Sequence, residues 1–330
     1  MEDNFEARCL LLQQNRQAAK RAWFWAGSLI QLCCANVYTL RDRQIDVEAL
    51  QRCKQLVKER VSVFSCLRGN VECVLAARMD LSGHPEQTLS ETLDAYAALR
   101  QRFHASGYLP LGALSMSELS SPARFEELAG CARDLYDRMR QTHPILTASE
   151  DAPMCVLLAL SGKNADLLLE DVEACYQQLK PSFPLCGDSV QTLSLVLALM
   201  PGASEEKTRR VMALFDTLKR QGRKWGTTHE LSVLGILALQ ERDPEALAAD
   251  ILTCDQLLAR QKGFGPFSIS GRQRLMYAGL MAQPALDVPI ASDIAIGSAL
   301  SALLAEQAAT IAVTAAISSS VAASSSSSSS

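Results

Sequence analysis

Within "HPILTASEDAPMCVLLAL", residues 143–160, a histidine, two hydroxyls and two adjacent carboxylates stand directly ahead of an apolar run. His143, Glu150 and Asp151 are of the types that move protons, and hydroxyls such as Thr147 and Ser149 help to orient a ligand. The same residues also have the form of a helix start. Thr147-x-x-Glu150 matches a capping box, in which hydroxyl and carboxylate satisfy the free N–H groups of the first turn. Asp151 adds negative charge near the helix's positive end, and Pro153 is tolerated only early in a helix. Similar pairs follow at Asp188-x-x-Gln191 and Thr227-x-x-Glu230, at steps of 41 and 39 residues. A helix start recurs with a repeat and an active site has no reason to, so capping is the preferred account. His143 is left over, held in an extended connector by Pro144. His143, Glu150 and Asp151 are therefore the candidate ligand or partner contacts. No catalytic, cofactor-binding or metal-ligating residue is assigned.

Other stretches resemble known chemistry less well. "SGKN", 161–164, sits where a phosphate-binding loop would end, but Leu157 and Asn164 break that pattern, leaving a turn at Gly162. "FGPFSISGR", 264–272, follows no strand and lacks G-x-G-x-x-G, so it reads as a loop. "KRQGRKWG", 219–226, groups four cations beside Trp225 and suits a phosphate or an acidic partner. It also lies where a helix should end, with Gly222 as cap and cations facing the negative pole. No Ser-His-Asp order, nucleophile elbow or H-E-x-x-H can be assembled.

The eleven cysteines include no C-x-x-C pair, and the four histidines lie far apart, so zinc-type spacing is missing. The odd cysteine count and the polar, acidic N-terminus "MEDNFEARC" predict reduced thiols that behave as small hydrophobes in a cytoplasm. No cofactor is expected. A formal charge of −4, from 32 basic and 36 acidic residues, argues against a nucleic-acid binder.

The elements that carry these residues follow a repeating plan. Leu-Ala-Leu occurs at 158–160, 197–199 and 237–239, at steps of 39 and 40 residues, each time closing an apolar run. A breaker and a one-sided amphipathic stretch come next, for example Leu168, Val172, Cys175 and Leu179 at helical spacing. A helix apolar on every side must be enclosed, and a one-sided helix covers it. Strand signals are scarce. The predicted fold is all-α: about five stacked hairpins of roughly 40 residues, as an α-solenoid-like stack or a compact helical-repeat bundle.

The predicted organisation is one helical-repeat domain over 1–290, with an N-terminal helical cap at 1–70 and hairpins over 71–290. An Ala-rich helix at 291–317 and a disordered Ser-rich tail at 318–330 would follow. Glu306 and Gln307 interrupt the Ala-rich segment, so docking on protein is preferred there to a membrane contact.

"HPILTASEDAPMCVLLA", "CYQQL", "GDSVQTLSLVLAL", "LKRQGRKW" and "LGILAL" together resemble an uncharacterised family, seen mainly in Firmicutes. It is catalogued only as a domain of unknown function, number four thousand and three. The resemblance runs over most of the chain and implies a cytoplasmic bacterial helical protein, with no functional residue to carry over. The leading expectation is a non-enzymatic interaction or scaffold module that binds a protein partner or itself. The alternative is an enzyme or small-ligand protein with a polar site between helices near His143 to Asp151.

Overall fold

The computed structural model describes residues 2–283 except 25, 239 and 241. The Ala-rich helix and Ser-rich tail expected at 291–330 lie outside the described residues. Among the described residues there are fourteen α-helices and no strand. In chain order they are α1 (Glu2–Ala22), α2 (Ser28–Thr39), α3 (Val47–Arg60), α4 (Glu72–Ser82), α5 (Pro85–Arg100), α6 (Leu109–Leu119) and α7 (Phe125–Thr142). Then come α8 (Ala152–Leu160), α9 (Ala165–Leu179), α10 (Gly187–Leu199), α11 (Ser204–Arg220), α12 (Glu230–Ala238), α13 (Pro244–Ala259) and α14 (Gly271–Met281).

Local chemistry sets these boundaries. Asp46, Asn164 and Asp243 each accept two first-turn N–H bonds from α3, α9 and α13. Ser270 and Gln273 make a reciprocal capping box at α14. Gly222, at φ 81°, follows the end of α11, and the Arg223 N–H reaches back to the Leu218 carbonyl at 2.9 Å. That left-handed residue and its backward bond stop the helix.

Even-numbered helices are buried almost all round: every residue of α12 is buried, as are eight in α6. Odd-numbered helices bury a single stripe, such as Leu168, Val172, Cys175 and Leu179 in α9. Leu158, Leu197 and Leu237, which the tripeptide spacing marks as equivalent, are all 0% exposed. Of its two one-sided chain neighbours, each enclosed helix packs more closely on the one before it than on the one after: α2 on α1, α8 on α7, α10 on α9 and α14 on α13. The pairing expected from sequence set each enclosed helix with the helix after it, so it is offset by one element. The reason is that an amphipathic stripe announces a partner without saying which of two chain neighbours it will be. Residues 1–70, expected as a cap, supply α1 to α3, and α2 is enclosed like the later even-numbered helices.

The covering helices pack in chain order from α1 to α13, and α13 then packs against α1. Across that junction the Arg8 guanidinium donates to the Met281 carbonyl at 3.3 Å, and the Ser28 hydroxyl donates to the Ser268 carbonyl at 3.3 Å. The first and last described helices therefore meet, and the helices form a closed ring with an enclosed layer and a covering layer. Gly235 shows how tightly the enclosed layer is packed: a Cβ there would lie 2.6 Å from Leu193 Cδ1 on α10.

Short connections between alternating layers make chain neighbours antiparallel, so all enclosed helices run the same way. One edge of the ring therefore collects every connection that leads into an enclosed helix. These include the longest in the chain, at 61–71, 143–151, 221–229 and 260–270. The other edge has turns as short as Gly83 and His84.

Candidate functional site

Every stretch that the sequence marks as chemically rich, apart from "SGKN", falls on the long-loop edge. "SGKN" is a turn on the opposite edge. Gly162 there has φ 66°, Asn164 caps α9, and the Lys163 ammonium donates to the Ala198 and Leu199 carbonyls at 2.9 and 3.0 Å. Lys163 thus caps the C-terminus of the neighbouring α10, where a cation is favoured.

His143 and Asp151 bond to different partners, and Glu150 faces solvent. His143 Nε2 lies 2.7 Å from Glu173 Oε2 on α9, and its ring packs on Tyr176 with centroids 4.8 Å apart. Burial raises the Glu173 carboxyl, but hydrogen bonds from Gln177 and His143 outweigh it and hold it below its ordinary value. Glu150 is exposed. Asp151 is buried, and its Oδ2 accepts the Ala148 N–H at 3.0 Å and the Gln191 amide at 3.4 Å.

The three capping boxes expected from sequence are not the ones formed. Thr147 is buried and accepts a bond from the Gln191 amide at 3.3 Å, so Thr147, Asp151 and Gln191 tie the start of α8 to the first turns of α10. At α12 the carboxylate of Glu230 takes the Thr228 N–H at 3.2 Å and the Thr228 hydroxyl at 2.6 Å. At α8 and α12 the carboxylate in use thus satisfies an N–H one residue later than the hydroxyl-x-x-carboxylate spacing implies. In the helical turn that leads into α8, adjacent side chains point in directions about 100° apart or more, and it is Asp151 rather than Glu150 that faces inward. Burial pushes the Asp151 carboxyl up to about 7, against the pull of the Ala148 N–H.

Further round the edge, Gly222, Arg223, Lys224, His229, Ser270 and Arg272 help to line a cleft of about 600 Å³ between the starts of α12 and α14. Trp225 is buried beneath it and donates its indole N–H to the Glu230 carbonyl at 2.9 Å. Gly226 allows this fold-back, since a Cβ there would sit 2.2 Å from Glu230 Cδ. Asp255, also buried, accepts Arg274 Nε at 2.8 Å and pairs with Arg223. One carboxylate thus holds two guanidiniums, and with Lys224 and Arg272 exposed the cleft is basic. Burial lowers the His229 imidazole pKa, with Glu230 acting in the opposite sense. An arrangement of this kind attracts anions.

The same edge bears most of the exposed large apolar side chains. Phe64, Ile145, Leu185 and Phe267 are each at least 92% exposed, and they sit on four separate loops that all lead into enclosed helices. "FGPFSISGR" accounts for Phe267, but sequence reading treated it as a plain loop. The signal available there was a phenylalanine directly after Gly265 and Pro266, with no helical period to bury it. In the tripeptide "WFW" at 23–25, Trp23 is buried under the Lys54 ammonium, 4.6 Å from its ring, and Phe24 is exposed. Residue 25 lies outside the described set.

All eleven cysteines are free thiols, and eight are buried. Among the described residues no group of three or more His, Cys, Asp or Glu is placed to hold a metal ion. No described helix is long and apolar enough to cross a membrane.

Among curated proteins, the uncharacterised protein YeaA of Bacillus subtilis (strain 168) is 24% identical over 184 residues. The match covers 54% of this chain and 56% of that protein, so the chain spans about half the length of the relative it matches. No solved structure matches the chain. A family model described as "Protein of unknown function (DUF4003)" matches residues 15–309, nearly the whole chain. The chain belongs to this DUF4003 family of unknown function.

Proposed function

We propose that this is a non-enzymatic cytoplasmic interaction module whose working surface is the long-loop edge of the ring. The observation that carries this reading is the set of four nearly fully exposed apolar side chains, Phe64, Ile145, Leu185 and Phe267, gathered on one edge. Large apolar side chains that the chain itself leaves uncovered favour a partner that removes them from water, in proportion to the area buried. Functional residues concentrate on loops held by a rigid scaffold, and the packed double layer beneath is such a scaffold. The free, mostly buried cysteines support a reducing compartment.

The test is site-specific photo-crosslinking in cells. A photoreactive residue at Phe64 or Phe267 should give covalent adducts with another macromolecule or a second copy of the chain. The same group at Ser161 or Ala203, on the opposite edge, should give few or none. Equal yields from the two edges would overturn the assignment.

A further inference from the structure

The interacting edge has a charge as well as an apolar character. Its loops carry the exposed cations Arg102, Lys180, Lys224, Arg260 and Lys262, and Arg272 follows in the first turn of α14. Exposed carboxylates in the same loops and first turns are few, chiefly Glu150 and Asp188. Asp151 and Glu230 are buried. This excess stands out in a chain whose formal net charge is −4.

The cations are densest where the 260–270 loop meets the starts of α2 and α14. There Phe267 is fully exposed, and the Ser28–Ser268 bond brings the exposed Phe24 segment alongside. Arg260 and Lys262 precede the tip in the same loop, and Lys224 and Arg272 line the adjoining cleft.

A flat protein partner needs a contiguous, complementary apolar patch. Phe64, Ile145, Leu185 and Phe267 instead stand on separate loops around the edge. Isolated tips of this kind, set among cations, suit a fluid layer into which each sinks by itself. Anionic lipid attracts juxtaposed lysine and arginine, and inserted apolar side chains add to that attraction.

From this juxtaposition we infer that the long-loop edge docks on the surface of an anionic phospholipid bilayer, with the Phe267 loop as its principal anchor. The inference rests on the reading of that edge as the interacting surface. It is distinct from a contact through residues 291–317.

The experiment is co-sedimentation of the full chain with vesicles of phosphatidylcholine alone and of phosphatidylcholine containing phosphatidylglycerol. Binding should be confined to the anionic vesicles at low salt and should weaken as salt rises. Lys262→Gln should weaken it about fivefold, as expected for one cation near an anionic surface. Phe267→Ser combined with Phe64→Ser should weaken it at least tenfold, on the order expected when inserted aromatic area is lost. Both tips are solvated, so these variants should keep the parent's melting temperature, which checks the fold. Absence of sedimentation with anionic vesicles overturns the inference. Sedimentation that survives both tip substitutions and Lys262→Gln also overturns it and assigns the contact to another segment. Protein adducts from Phe267 without vesicle binding would leave the interaction reading standing and replace the bilayer with an acidic protein partner.

Discussion

Burial raises the Asp151 carboxyl to about 7 from an ordinary value of 3.8. Between those two values the folded protein keeps a proton that the unfolded chain has released. The stability so contributed is fully present below about pH 4 and is lost as pH rises through about 7. Asp151→Asn removes the titration yet leaves an oxygen for the Ala148 N–H. The variant should therefore lose most of the parent's decline in stability between pH 5 and 8. At pH 8 it should be more stable by up to about 4 kcal/mol, read from urea unfolding at the two pH values. Identical declines in parent and variant would remove Asp151 as the source. The sequence reading found this residue but not its role. Hydroxyl-x-x-carboxylate spacing pointed to Glu150, and only the direction in which the enclosed helix faces decides between two adjacent carboxylates. Gln191, its amide donor, looked like half of another cap because its partners Thr147 and Asp151 lie some 40 residues away.

Elements meet through polar residues as well as apolar stripes, and α9, α10 and α11 meet at Lys207. This ammonium is 1% exposed, pairs with Asp171 on α9 and donates to the Leu197 carbonyl of α10 at 2.9 Å. A buried ion pair adds little net stability compared with an apolar replacement, but breaking one side leaves a charge stranded. Asp171→Asn should accordingly destabilise the fold by about 3 kcal/mol. Lys207→Met, which keeps the length and removes the charge, should cost clearly less. Denaturant midpoints compare the two, and a larger loss for Lys207→Met would show that the ammonium's bond to Leu197 dominates. The alternation of enclosed and covering helices was legible in sequence because it is written in local apolar periodicity. Lys207 was not, since a lysine at an amphipathic helix start looks solvated until the carboxylate opposite is known. Partner choice and ring closure were illegible for the same reason: they depend on contacts between distant parts of the chain.

Closure distinguishes the whole molecule from an open stack. In an open stack each unit touches only its neighbours, and the terminal units fray most easily. Here α1 packs on α13 and α14, with Arg8 bound to the Met281 carbonyl and Leu12 at 0% exposure. Loss of a core side chain in α1 should therefore be felt at the far end of the sequence. Leu12→Ala, expected to cost about 2–5 kcal/mol as a buried truncation, should raise amide exchange in α13 and α14 as much as in α2 and α3. Helices α6 to α8, across the ring, should change least. Native-state hydrogen exchange resolved by segment measures this directly. A loss of protection that fades from α1 towards α14 in chain order would mean the ends are not coupled. An even rise would be expected only if the ring opens as a single unit. Where the rise concentrates on both sides of the α1–α13 contact, closure itself holds the long-loop edge in register. The Phe267 loop lies beside that contact, so Leu12→Ala should also weaken whatever this loop binds, although Leu12 itself is fully buried.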